Sequence, residues 1–265
     1  MKNQFLFLGT GGSTGIPLIG CDCAVCRSKN PHDRRLRPSG LLKVKGKNFL
    51  IDVGPDFREQ ALKYDIRHID GILITHSHFD HIGGLDDLRA FNFLQKHKIP
   101  CLLSIETFDE LKLRYHYLIR EKKEGETICA DLDFHLLDKD FGEIEFEGLL
   151  WDFVSFYQGE MKVTGFRLGD FAYISDIREF TEEVYDALVG VKTLVVSAAK
   201  PSEILIARGV AKRHLSIEEA IDFSRRINAS KTWITHIGHE IGHEEVTREL
   251  PPGISLAYDG LVIDF

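Results

Sequence analysis

Apolar and polar positions follow two interleaved rhythms along this chain. Residues 5–8, Phe-Leu-Phe-Leu, form a short continuous apolar run, the pattern of a strand covered on both faces. Residues 41–44 and 48–53 read as two strands of a hairpin turning at Gly46-Lys47. Residues 69–75 and 101–104 predict further apolar strands, while 56–64, 85–94 and 108–120 carry helical spacing. Two-residue alternation returns at 144–156, and 163–168 with 171–175 predict a second hairpin turning at Gly169-Asp170. Helices are expected at 181–188, capped by Thr181, and at 216–227, where Ser216 and Glu219 form a capping box. Strands follow at 193–196 and 232–235, and the chain closes with strands around Ile254 and Leu261. Strands alternating with helices, with hairpins mixed in, predict mixed sheets covered by helices. With no linker, low-complexity tract or repeat, residues 1–265 read as one domain.

The glycine loop after the first strand, Gly9-Thr10-Gly11-Gly12-Ser13-Thr14-Gly15, resembles a dinucleotide fingerprint only in part. Thr14 stands where the third glycine is needed, and Pro17 and cysteines follow where a helix is required, so that reading is rejected.

Composition narrows the classes. A hydrophobic fraction of 43% and a charged fraction of 28% are those of a globular protein able to bury a core. The net charge of -8 argues against nucleic acid as a partner, because phosphate contacts need clustered Lys and Arg. The short run Arg34-Arg35-Leu36-Arg37 is expected to be a solvated loop, with phosphate positioning as the alternative. No run is long enough to span a membrane and no signal-peptide pattern opens the chain, so a cytoplasmic location is expected. Of five cysteines, Cys21, Cys23 and Cys26 crowd together, a pattern that suits metal binding better than disulfides. Cys101 and Cys129 are expected in the core.

Thr75-His76-Ser77-His78-Phe79-Asp80-His81 carries the chemistry. His76 and His78 lie two apart just past an apolar strand, so both rings can point to one side. Asp80 and His81 come where the chain can turn toward a neighbouring point. Adjacent residues do not easily converge on one ion, so four candidate ligands suit two ions about 3.5–4 Å apart.

This His-x-His-x-Asp-His pattern resembles the signature of the metallo-β-lactamase superfamily, and Asp52 in Leu50-Ile51-Asp52-Val53-Gly54 resembles its strand-end aspartate. Gly9-Thr10-Gly11-Gly12, the three cysteines, Thr235-His236-Ile237-Gly238-His239 and Ala257-Tyr258-Asp259-Gly260-Leu261 are similar to the branch containing the cyclic-phosphate phosphodiesterase of phosphonate breakdown. The resemblance runs from the first strand to the last. It implies a four-layer αββα sandwich. It implies that His76 and His78 hold a first metal, that Asp80, His81 and His236 hold a second, and that Asp176 bridges them. A third histidine is expected on the first metal, and the matching position holds Gln158. An amide oxygen is a poorer zinc ligand than imidazole, so the first position is expected to be weakened, empty or filled by a harder ion such as manganese. The three cysteines are expected to hold a structural zinc, with His239 as the fourth ligand by the resemblance and His243 as the rival.

The expected chemistry is attack on phosphorus by a hydroxide that the ions supply, with zinc or manganese in the active site. His214 matches a substrate-facing histidine of the branch and is expected to act as general acid or phosphate ligand. Asp80 is counted with it among the catalytic side chains, and Arg178 or Lys212 are candidates to assist. The expected substrate is a small, open or cyclic, phosphate ester. An RNA-processing nuclease, a catalytically impaired metal-binding protein and a thioester or lactam hydrolase remain as alternatives. Nothing in the sequence fixes the oligomeric state, and a homodimer is compatible with it.

Overall fold

The computed structural model describes residues 2–120, 128–199 and 213–265. Its strands form two seven-stranded sheets. The first runs, in spatial order, β14 (Val262–Asp264), β1 (Gln4–Gly9), β2 (Ser39–Val44), β3 (Lys47–Ile51), β4 (Gly71–Leu73), β5 (Ile99–Ser104) and β6 (Leu132–Leu137). The second runs β13 (Ile254–Leu256), β12 (Lys231–Thr235), β11 (Thr193–Ser197), β10 (Phe171–Ile174), β9 (Met161–Leu168), β8 (Leu149–Gln158) and β7 (Phe141–Phe146). Strands β3 to β6 are mutually parallel, as are β10 to β13. Among the described residues the α-helices are α1 (Phe57–Lys63), α2 (Phe79–Ile82), α3 (Arg89–Gln95), α4 (Ile105–Arg114), α5 (His116–Ile119), α6 (Glu182–Leu188), α7 (Ile217–Arg226) and α8 (His243–Glu249).

Three apolar clusters define the layers. The central one joins Phe5, Leu42 and Phe49 of the first sheet to Trp151, Phe166 and Tyr173 of the second, so the sheets face each other. A second cluster packs Leu6, Leu50 and Ile72 against Phe57, Phe91 and Leu111 of α1, α3 and α4. A third packs Val154, Ile174 and Val196 against Val184 and Phe223 of α6 and α7. Successive strand residues therefore serve opposite layers, Phe5 inward and Leu6 outward, which is why these strands read as continuous apolar runs. The result is the expected αββα sandwich. Among the described residues, no helix is long and apolar enough to cross a membrane.

Several local expectations needed correction. The helix expected over 108–120 is two, α4 and α5, broken at Tyr115. The alternation at 144–156 is a hairpin of β7 and β8, since Glu147 and Gly148 both take positive φ (52° and 73°), as a tight hairpin turn requires. Strand β6 and helix α8 carried no signal that was read. Thr181 stands at the N-cap of α6 but its side chain makes no capping bond, whereas the capping box of Ser216 and Glu219 on α7 is complete.

The segment Arg34–Arg37 is not a solvated loop. Arg35 is 2% exposed. Its guanidinium donates to Thr10 Oγ1 at 2.7 Å and Ala257 O at 2.6 Å, and lies 3.0 Å from His243 Nδ1. Arg37 pairs with Asp56 at 2.9 Å. Burial pushes the Arg35 pKa down to about 10, yet the group stays charged at neutral pH beside Asp259 and Asp33. It ties the first loop to the C-terminal segment. Removing one partner of such a buried charged network costs about 3–5 kcal/mol. Arg35→Met should therefore lower the unfolding free energy measured by urea titration by an amount of that order, with a lower midpoint, whereas Arg34→Met, at an exposed position, should change it by less than about 0.5 kcal/mol. Equal midpoints for wild type and Arg35→Met would show that the clamp contributes nothing.

Candidate metal centre

The candidate ligands gather where the parallel strands of both sheets end, the usual place for sites in such sheets. β3 ends and delivers Asp52; β4 ends and delivers His76 and His78; α2 carries Asp80 and His81. In the second sheet, β10 is followed by Asp176 and β12 by His236. Asp52, Asp176 and His236 all have left-handed backbones, with φ of 58°, 55° and 60°. Such a conformation is uncommon for any residue with a side chain, and it turns each ligand off its strand toward the seam. A bond from Thr164 N to Thr75 O, 2.8 Å, joins the two sheets at this point. Gly54 is required nearby, because a Cβ there would lie 2.1 Å from the carbonyl oxygen of Asp80.

Buried Asp80, His81 and His236 form one group, and Asp176 forms others with His76 and His81 and with His214 and His236. Asp80 Oδ2 is 3.3 Å from both His81 Nε2 and His236 Nε2. Asp176 reaches His81 Nε2 at 2.8 Å through Oδ2 and His236 Nε2 at 3.3 Å through Oδ1. Nitrogen and oxygen ligands at about 2.0–2.1 Å from one tetrahedral ion lie roughly 3.3–3.4 Å from one another. Despite these short distances, His81 Nε2 makes no hydrogen bond of acceptable geometry. A buried ring nitrogen left without a hydrogen bond beside two carboxylates is what a shared ion would satisfy. On its other side, His81 Nδ1 lies 2.7 Å from Asp52 Oδ2, and Asp52 accepts from Thr75 N and Oγ1 at 2.8 and 2.9 Å. A carboxylate behind the imidazole fixes its tautomer and direction, as it does behind metal-bound histidines.

Electrostatics point the same way. Burial works against charge on Asp176 and Asp80, but His236, His81 and, for Asp176, His214 outweigh it and hold both carboxyls below the usual range. Burial also opposes charge on His81, yet Asp80, Asp52 and Asp176 together push its pKa well above the ordinary value. His76 is driven the other way, by burial first and then by His81, so it stays neutral, the form that binds metal. A water-excluded cluster with three carboxylates demands positive charge at its centre.

The first position is less complete. His76 Nε2 and His78 Nδ1 converge to 2.9 Å, and His76 Nε2 lies 3.8 Å from Asp176 Oδ2. Among the described residues, His78 joins no group of three or more His, Cys, Asp or Glu ligands. Gln158, at the end of β8, places its amide Nε2 3.3 Å from Asp176 Oδ1, to which it donates, and 3.1 Å from His214 Nδ1. His135 sits on β6 beside Asp133 and joins no such group. His214 is a site residue: its Nδ1 is 2.9 Å from Asp176 Oδ1, its ring packs on His236 at 4.7 Å, and its side chain remains 20% exposed. Arg178 is committed to Glu219 at 2.9 Å. Lys212 lies outside the described residues.

The cysteines form a second centre. Cys21, Cys23 and Cys26 place their sulfurs 3.4, 3.5 and 3.6 Å from His239 Nδ1. Sulfur and nitrogen ligands on one tetrahedral zinc are about 3.5 Å apart, so this set fits a closed structural site. The Cys26 N–H on the Cys23 sulfur leads the influences that lower that thiol to about 6, toward the thiolate a metal needs. His243, the rival ligand, is engaged with Arg35 instead. Cys101 and Cys129 are buried elsewhere. The two centres are coupled through one segment: Ile237 N bonds Thr10 O at 2.9 Å and Gly12 N bonds Ile237 O at 3.0 Å, between His236 and the glycine loop. Sequence reasoning named Asp52, Asp176 and His236 but not their left-handed backbones, and gave Thr75 no role. Asp at two of them is the one available signal, since Asp tolerates that conformation better than most residues.

A family model described as the beta-lactamase superfamily domain matches residues 47–237. The crystal structure of a diphosphatase from the PhnP family covers 100% of this chain and 98% of its own, with a TM-score of 0.88 and 37% identity. An octanoyltransferase of Porphyromonas gingivalis is 33% identical over 97% of this chain and 50% of its own length. Ribonuclease Z of Bacillus thuringiensis is 30% identical over 51% of this chain and 44% of its own length. The chain thus spans half, or less, of these two curated relatives.

The cysteine centre makes a direct prediction. His239→Ala should remove one tightly held zinc per chain and lower the thermal midpoint by several degrees, whereas His243→Ala should keep that zinc. Metal analysis after dialysis against a mild chelator checks it; retention of the ion in His239→Ala would contradict the assignment.

Proposed function

This chain belongs to the metallo-β-lactamase superfamily, and on that premise we propose that it is a metal-dependent hydrolase of small phosphate esters, open or cyclic. The observation that carries the reading is His214. It stands on the exposed side of the cluster, 2.9 Å from the carboxylate that both metal positions would share. The likeness over the full chain to a PhnP-family diphosphatase supports phosphorus as the reacting atom.

Divalent ions would be held by His76 and His78 on one side and by Asp80, His81 and His236 on the other, with Asp176 between. When bound, they supply Lewis acidity toward phosphoryl oxygens and a hydroxide nucleophile near neutral pH. The remaining work belongs to the chain. Asp52 and Thr75 lock His81 in one orientation. Asp80 and Asp176 offset the cationic charge that burial would otherwise make costly. His214, oriented by Asp176, faces the open side and donates a proton to the departing oxygen. Gln158 holds His214 and Asp176 in register, so the His76–His78 position is the weaker of the two.

The ribonuclease Z relative supports a second reading, a nuclease acting on structured RNA. The net charge of -8 weighs against it. The octanoyltransferase relative is twice as long as its match to this chain, so its name describes a larger protein; an octanoyl thioester belongs in the test as a third substrate.

The activity test is hydrolysis of bis(p-nitrophenyl) phosphate, a cyclic ribose phosphate, a tRNA precursor and an octanoyl thioester, each with zinc and with manganese. The proposal expects turnover of the first two. Cleavage of the precursor alone would favour the nuclease, and hydrolysis of the thioester alone would remove phosphorus from the account. His214→Ala should cost about 10²–10⁴-fold in kcat on an ester with an alkoxide leaving group, and far less on the p-nitrophenolate ester, whose departing oxygen needs no proton. Equal losses on both would rule out the acid role. Gln158→His should add tightly bound metal at the first position, raising active-site zinc per chain from about one toward two. If wild type already holds two tight ions there, the weak-position reading is wrong.

A further inference from the structure

Ser77, between the two histidines, is fully buried in a stretch that is neither helix nor strand. Its hydroxyl faces Met161 Sδ at 3.4 Å, at the start of β9. Its carbonyl oxygen accepts from Arg114 Nη1 at 2.8 Å, at the last turn of α4. Arg114 Nη2 in turn bonds Glu110 Oε2 at 2.7 Å, one turn earlier on the same helix. The helix is anchored at its other end as well: Ser104 caps it, and Glu106 accepts from Lys162 Nζ at 3.0 Å, a lysine also paired with Asp140 at 2.6 Å. A helix anchored at both ends thus places the half-exposed Arg114 guanidinium on the carbonyl of the Ser77–His78 peptide.

We propose that Arg114 is a positioning residue that sets the geometry of the His76–His78 pair through the Ser77 carbonyl. The inference rests on reading His76 and His78 as metal ligands, and it adds a residue from a distant helix to that site. The Ser77 carbonyl lies in the Ser77–His78 peptide, so holding it fixes that plane and with it the direction His78 takes relative to His76. Fixing its carbonyl therefore fixes how His76 Nε2 and His78 Nδ1 converge. Glu110 holds the guanidinium in place and offsets its charge, so a cation can sit close to a divalent-ion position without strong repulsion. The effect matters more here than in a position with a full set of strong ligands. With Gln158 in place of a third imidazole, affinity depends on the preorganisation of the two that remain. Arg serves this role better than Lys because its fork can bond the carbonyl and the carboxylate at once.

The test compares wild type with Arg114→Ala and Arg114→Lys by two readouts. In metal-free protein, long-range ¹H–¹⁵N spectra report the His76 and His78 rings directly. Both should shift or broaden in Arg114→Ala and return only in part in Arg114→Lys, while the His236 and His239 signals stay put. In zinc or manganese titrations, Arg114→Ala should weaken the His76–His78 position by about 10–100-fold, with the Asp80–His81–His236 and cysteine positions unchanged. Superimposable His76 and His78 signals in wild type and Arg114→Ala would overturn the proposal, as would unchanged affinity at their position. A wild type that binds no ion there would count against the metal reading, and the spectra of the metal-free protein would still decide the role of Arg114.

Discussion

Asp52, Asp80 and Asp176 are carboxylates held away from water at one seam between two sheets, and the architecture around them is organised to satisfy their charge. Isolated carboxylates in such a place would cost several kcal/mol each. Here each meets imidazole nitrogen: Asp52 behind His81, Asp80 between His81 and His236, Asp176 among His81, His236 and His214. His81 Nε2 lies within 3.3 Å of both Asp80 and Asp176 yet makes a hydrogen bond to neither. A divalent ion at that point meets the demand of both carboxylates and both histidines.

The sheets exist, from this viewpoint, to bring strand ends together. Four parallel strands on each side end at the same edge, and three left-handed residues turn the ligands inward. The interface between sheets is filled by large aromatic side chains, so the seam is rigid and dry. Two outlying devices hold the edge in place: the cysteine–His239 centre, which ties the N-terminal loop to the segment carrying His236, and Arg35, which ties that loop to the C-terminal strand region.

Much of this was legible in the chain. The dense His76–His81 stretch announced itself because so many ligating side chains in so few residues have no other economical use. The apolar runs announced strands buried on both faces. The capping box at Ser216 was correct because it is a local hydrogen-bond pattern, written within four residues. What depended on contacts distant in sequence was not readable. Arg35 looked like part of a basic surface run, since nothing nearby shows that Thr10 and Ala257 will close over it. His239 could not be told from His243 until the fold set one beside the cysteines and the other beside Arg35. The hairpin at Glu147-Gly148 was missed because alternation continues through it, and the turn shows only in the positive φ of its two central residues. Strand β6, with half-exposed residues along its middle, lacked the apolar run that marked the others.

The central claim is that the buried carboxylate–imidazole cluster is a cation site with two unequal positions. Anomalous diffraction from crystals grown with zinc, and separately with manganese, tests it directly. The account predicts a strong peak in contact with Asp80, His81, His236 and Asp176, and a weaker or metal-selective peak beside His76 and His78. Absence of any peak within the cluster, with its imidazoles turned to hydrogen-bond the carboxylates, would contradict it.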